Sequence, residues 1–217
     1  MQRIKTYLLI LLLLYSNIAA YSQKQKADSL RDLLAQGKTD TDRVRVMWQL
    51  ANVLYNNNPD TSLKLAQDAY YLAKHINYLE GESRSLGILA STFRILGNYS
   101  RALALNLEKL QLEEKRNVPR NLASVLMNIG IVYVFQEEYN KALEYYFKAD
   151  SVINKDNVED FKYNIALNIG DAYNKFNISD SAYLYFKKSL DLAKEQNDGD
   201  LIGTSMTGLA HTYLKKG

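Results

Sequence analysis

Cysteine is missing altogether from the 217 residues, and there are only two prolines and two histidines. Without thiols there is no disulfide framework, no thiolate metal site and no cysteine nucleophile, and redox chemistry does not reveal the compartment. Both prolines, Pro59 and Pro119, fall at boundaries of the hydrophobic periodicity, so long helices run uninterrupted. His75 and His211 are far apart in the chain, which leaves acid–base or zinc chemistry no obvious pair. Glycine-rich phosphate loops, nucleophile elbows and paired His-Glu zinc motifs are absent too. An excess of one charge is also lacking. Setting aside Arg3 and Lys5 of the leader, the 27 basic side chains fall to 25 against 24 acidic ones. So even a balance carries no electrostatic footprint for nucleic acid. The expectation is a noncatalytic protein with no cofactor and no metal.

Long apolar runs are confined to the start. Residues 1–22 read MQRIKTYLLILLLLYSNIAAYS, a basic beginning, an apolar stretch from about Tyr7 to Leu14, then small and polar residues. Ala20 and Ser22 occupy the −3 and −1 positions for cleavage before Gln23, the pattern of a secretory signal. The apolar core is shorter than the roughly 18–20 residues of a spanning helix. An uncleaved anchor is the rival reading. No cysteine follows the run, which excludes a lipid anchor there. The expected body is exported, periplasmic or envelope-associated in a Gram-negative bacterium, with no membrane contact beyond the leader.

What the body does contain is a period. Leu126, Ile129, Gly130 and Tyr133 fall at i, i+3, i+4 and i+7, one helical face, and Tyr139, Ala142, Tyr146 and Ala149 form a second stripe. Small Gly130 and Ala142 sit where antiparallel helices approach closely, a large-into-small interlock. First-helix stripes recur as Trp48/Ala51/Asn52/Tyr55, Leu86/Leu89/Ala90/Phe93, Ala166/Ile169/Gly170/Tyr173 and Met206/Leu209/Ala210/Tyr213. The closing aromatics stand at 55, 93, 133, 173 and 213. Second-helix stripes recur at Ala66/Tyr70/Ala73 and Ala182/Phe186/Ser189, with a weaker copy at Ala102/Asn106/Lys109. Asn77, Asn117, Asn157 and Asn197 mark every fortieth residue, with Gly97, Asn177 and Gly217 midway. Both residue types accept the left-handed conformation that ends a helix.

Small residue, aromatic three later, Ala nine after that, then aromatic and Ala at +4 and +7: this resembles the tetratricopeptide repeat. Asn-Ile-Gly at 128–130 and 168–170 is similar to that family's Asn-Leu-Gly. The resemblance covers about 44–217, with a period of forty in place of the usual 34. It implies an all-α, right-handed superhelical solenoid of antiparallel helix pairs, its concave face lined by first helices. The expected organisation is a signal peptide at 1–22, a short capping helix and linker at 23–43, and an array at 44–217 of four full repeats plus the first helix of a fifth. An exported helix ahead of such repeats resembles the sensory regions of bacterial membrane-bound signalling proteins.

The resemblance implies that Asn128 and Asn168 grip a peptide backbone, since an amide offers donor and acceptor together. An inter-repeat structural hydrogen bond is the alternative. Leu50, Ile88 and Gly208 stand at the same place in the other copies and interrupt an amide ladder. Arg84, Ser91, Asp171 and His211 complete a mixed-charge concave face, with Asp171 and His211 at equivalent positions of successive first helices. The lysine-rich carboxylate clamp of some relatives is absent, its positions reading Gln49, Gly87, Met127, Leu167 and Thr207. The 17 tyrosines, placed mostly at packing positions, read as core and not as a base-stacking platform. The expected partner is a peptide or protein segment, with self-association through an open C-terminal face as a second expectation. Three roles follow: the sensory part of a signalling receptor, the N-terminal region of a membrane-bound histidine kinase or DNA-binding regulator, or a structural subunit of an envelope assembly.

Overall fold

The computed structural model describes residues 22–37, 39–156 and 158–216. The expected leader therefore lies outside the described residues except for Ser22, as do the punctuating Asn157 and Gly217. Among the described residues there are ten α-helices, a short 3-10 turn and no strand. The chain forms two compact units that divide between Leu96 and Gly97. The first holds α1 (22–36), α2 (Asp40–Leu54), α3 (Pro59–His75) and α4 (Leu79–Ile95). The second holds α5 (Tyr99–Arg116), α6 (Pro119–Phe135), α7 (Tyr139–Lys155), α8 (Lys162–Lys175), α9 (Ser179–Glu195) and α10 (Gly199–Lys216).

The helices begin and end where local chemistry demands it. Thr39 and Asn58 accept the Asp42 and Thr61 backbone N–H at 3.1 and 3.2 Å, and Pro59 opens α3 where no N–H is needed. Asn98 accepts from Arg101 at the start of α5, and Asp198 from Asp200 and Leu201 at the start of α10. At the other ends, Asn77, Gly97, Asn117, Glu137, Asn177 and Asn197 all have positive φ, a left-handed residue every twenty positions apart from the undescribed 157. The following N–H reaches back across the turn, as in Tyr78 to Ala73, Glu138 to Tyr133 and Ile178 to Tyr173. Glu137 is the residue that the reading of Asn and Gly overlooked. Its φ of +61° is imposed by position in the repeat and not by its own preference.

In the first unit, Val44, Met47, Ala69 and Ala73 form a core between α2 and α3. Ser62 donates to the Ala51 carbonyl at 2.8 Å and lies 3.4 Å from Thr92 of α4, so a buried polar contact ties three helices. Helix α1 packs through Ala27 and Leu30 on Val46, Leu50 and Leu54 of α2. Tyr55 and Ala66 stand two residues further apart than their later counterparts; the α2–α3 connection (55–58) takes up one of the two, being four residues against three at 96–98, 136–138 and 176–178.

The second unit carries the interlock in its clearest form. Tyr146, 2% exposed, places its ring on Gly130, where an added Cβ would come within 2.6 Å of Cδ1. Phe186 lies between Gly170 of α8 and Gly208 of α10, each leaving no space for a Cβ. Ala142, Ala149 and Ala182 are wholly buried around these rings. The weaker second-helix copy on α5 is buried despite its polarity. Asn106, Lys109 and Glu113 all face inward, and Glu113 pairs with Arg116 at 2.8 Å. On α10 the stripe is uneven: Met206 and Tyr213 are 57% and 59% exposed, although Tyr213 still meets Tyr183 edge-on at 5.7 Å. No described helix follows α10 to cover them.

Candidate functional site

The six residues expected to line a binding face fall two in the first unit and four in the second. Arg84 and Ser91 stand on α4 in the first unit, and Asn128, Asn168, Asp171 and His211 on α6, α8 and α10 in the second. In the first unit, the Arg84 guanidinium lies 5.7 Å from the Trp48 ring and 3.4 Å from Glu80. Trp48 buries its indole N–H without a hydrogen-bond partner, and Ser91 is half-buried.

In the second unit the register of three first helices repeats the same face at i, i+3 and i+7. It reads Asn128, Ile131, Phe135 on α6; Asn168, Asp171, Lys175 on α8; and Gly208, His211, Lys215 on α10. Cross-links join these columns. Lys175 sets its ammonium 5.9 Å from the centre of the Phe135 ring. Lys215 donates to the Asn174 carbonyl at 2.6 Å and to Asn177 Oδ1 at 3.0 Å, a cation on the C-terminal end of α8.

Asn128 and Asn168 are half-buried, and neither side-chain amide has a hydrogen-bond partner among the described residues. The inter-repeat structural bond that would have occupied them is therefore not formed. Two amides remain with donor and acceptor capacity unspent. Their fifth-copy counterpart behaves differently, because Gly208 is filled by the Phe186 ring. Asp171 pairs with Lys175 at 3.4 Å and not with His211, which is exposed. That pairing leaves the histidine no acid–base partner. Among the described residues no group of His, Asp and Glu could hold a metal ion, and no helix is long and apolar enough to cross a membrane.

A second aromatic set stands at the contact of first and second helices. Tyr133 stacks on Tyr145 at 5.5 Å, and Tyr173 lies tilted against Tyr185 at 5.8 Å. Burial, then the neighbouring phenol, raises the pKa of Tyr133 and of Tyr185 above the ordinary tyrosine value. These tyrosines are packing residues, as their repeat positions implied.

Antiparallel helix pairs, with Gly130 under Tyr146 and Gly170 under Phe186, define the class of fold: a tetratricopeptide-like helical repeat. Residues 148–217 match the family model described as the SusR N-terminal TPR domain. Over 100 residues the chain is 33% identical to the Photosystem I assembly protein Ycf3 of Cuscuta gronovii, covering 46% of this chain and 48% of that protein. The homologous protein of Cuscuta obtusiflora matches to the same extent, so the chain spans about half the length of these curated relatives. A Rap protein complexed with Competence and Sporulation Factor superposes with a TM-score of 0.78 at 13% identity, over 92% of this chain and 60% of that one. A Signal Transduction ATPase with Numerous Domains from Pyrococcus horikoshii, which carries a tetratricopeptide repeat sensor, gives 0.77 at 14%, over 91% and 31%. At these identities the likeness is one of fold.

Proposed function

We propose that this chain is a noncatalytic, exported scaffold that binds an extended peptide or protein segment along its first helices, as the sensory part of a signalling receptor. The observation that carries the reading is the pair of unpartnered, half-buried amides, Asn128 and Asn168, at the same position of successive first helices. An extended peptide presents N–H and C=O groups that such amides satisfy, and a preformed groove spares the protein the entropy of closing around it. The complex of the Rap neighbour with its factor and the sensor role of the repeats in the Pyrococcus protein support the same assignment. The leader-like residues 1–22 support export.

Crosslinking pull-down from periplasmic extract tests this, comparing the wild type with Asn128→Ala/Asn168→Ala. The double variant is expected to lose the specific partner while retaining its helical content. Equal recovery of every partner would remove both residues from the site. Export is checked separately by N-terminal sequencing of the mature protein, expected to begin at Gln23. A second reading takes support from the match to a domain described as N-terminal. In it, these repeats form the N-terminal region of a membrane-bound histidine kinase or DNA-binding regulator. The coding sequence after codon 217 distinguishes the two.

A further inference from the structure

Helix α10 repeats a face that the earlier first helices bury, and leaves it bare. Gly203, Met206, Ala210 and Tyr213 fall at i, i+3, i+7 and i+10, on one side of the helix. The same side of α6, with Ala123, Leu126, Gly130 and Tyr133, packs on α7, where the Tyr146 ring fills the space above Gly130. On α10 all four residues are exposed. A Cβ added to Gly203 would meet nothing within 4 Å, and the neighbouring Leu214 is 80% exposed. Tyr183 of α9 meets the Tyr213 ring edge-on at 5.7 Å, which fixes the ring while leaving most of it in solvent.

The order of sizes along this face selects what fits it. Small and large residues alternate, and both small–large pairs, 203 with 213 and 206 with 210, share position 208 as their midpoint. An antiparallel second copy of α10 centred there sets Tyr213 over Gly203 of that copy and Met206 against its Ala210, each contact made twice by symmetry. No Asp, Glu, Lys or Arg interrupts the face. Asp200 stands near the start of α10 and Lys215 near its end, so the antiparallel arrangement also brings unlike charges and unlike helix-dipole ends together. Helix α1 offers no such match. It exposes Lys24, Asp28, Arg31 and Asp32, with Leu33 its one exposed large apolar side chain among the described residues. A head-to-tail contact through α1 would set charges against an apolar face, whereas a two-fold contact needs only the face itself.

We propose that α10 is a self-association surface, through which two copies of this chain pair antiparallel about a two-fold axis, using Gly203, Met206, Ala210 and Tyr213. Each Tyr213 ring then sits on a glycine, the same packing that Tyr146 and Gly130 make within the chain. One helix from each copy makes a contact of the small, transient class. It is populated at high protein concentration and absent at the dilution of a melting experiment.

Because the chain has no cysteine, introduced ones read the register without background. Gly203→Cys and Tyr213→Cys are made separately in the intact chain and oxidised with copper–phenanthroline, each alone and in an equal mixture. In this register a cysteine lies ten residues from its own counterpart, about 15 Å along the axis. A disulfide spans no more than roughly 7 Å between Cα atoms. The mixture is therefore expected to give a covalent heterodimer, and neither variant alone a covalent dimer. Sedimentation velocity over a concentration series is expected to show the wild type passing from monomer to dimer and no further. Ala210→Glu is expected to weaken that association roughly a hundred-fold or more with unchanged circular dichroism, because an unpaired charge enters the contact twice. A wild type that stays monomeric at every concentration refutes the surface, as does Ala210→Glu associating like the wild type. Species growing beyond the dimer refute the two-fold arrangement in favour of a head-to-tail one. Equal cross-linking of either variant alone refutes the antiparallel register.

Discussion

Gly130→Ala and Gly203→Ala make the same chemical change on two helices and are expected to shift stability in opposite directions. In a helix interior, alanine is favoured over glycine by about 1 kcal/mol, because the glycine backbone has more freedom to lose. At Gly203 of α10, an exposed position, an added Cβ meets nothing within 4 Å. Gly203→Ala should therefore collect the whole gain. At Gly130 the methyl would stand 2.6 Å from Tyr146 Cδ1 and 3.0 Å from Cζ. Carbon atoms settle at about 3.5–4.0 Å, so the gap is short by about 1 Å. Tyr146 is 2% exposed among Ala142, Ala149 and Ile169 and has no room to withdraw, so α6 and α7 must part. Overpacking of this kind costs about 1–3 kcal/mol, and with no room for the ring to withdraw the upper part of that range applies, leaving a net loss of up to about 2 kcal/mol after the helix gain. Thermal unfolding followed by far-UV circular dichroism should show Gly130→Ala melting about 3–6 °C below the wild type and Gly203→Ala a few degrees above it. Adding Tyr146→Leu to Gly130→Ala removes the ring edge, so the two changes should cost less together than their separate losses combined. A Gly130→Ala protein that melts at or above the wild type would refute the interlock as a source of stability.

Two further outcomes are expected. Glu137→Asn should raise the melting temperature by a few degrees, since a left-handed φ costs an ordinary L-residue about 1–2 kcal/mol and asparagine less; an unchanged or lower value would mean that the Glu137 side chain offsets its own strain. Tyr133 and Tyr185 hold their phenolic protons above the usual range, mainly through burial, whereas the unfolded chain releases them near pH 10. The stability they contribute is complete below about pH 10 and is lost as pH rises from there through the folded-state values. Absorbance titration at alkaline pH should show a late-titrating phenol that disappears in Tyr133→Phe and another that disappears in Tyr185→Phe; loss of an early phenol instead would refute the assignment.

Period, helix positions and caps were legible in the order of residues, because each depends on neighbours a few positions away. The left-handed Asn and Gly residues fall on the expected twenty-residue beat. Even Gly130 announced a close approach of helices. The same reasoning passed over Glu137, whose backbone is bent by the turn around it and whose side chain gives no sign of it. Nor could it know that Asn106, Lys109 and Glu113 of α5 would be buried where the other copies place aromatic and small residues.

Partnership across the fold was decided only in three dimensions. Gly208 stands at the repeat position that Asn128 and Asn168 hold, and the Phe186 ring of α9 occupies the space above it. Asp171 seemed equally available to His211 and to solvent, and it sits beside Lys175 one turn along its own helix. Phe135 looked like any apolar residue near a helix end until Tyr99 and Lys175 came to flank it. Sequence by itself determined the repeating helix pairs, since helix formation and capping are set by short-range backbone and side-chain chemistry. Which side chains stayed exposed was set by what the neighbouring repeat already filled, a steric outcome that no single repeat contains.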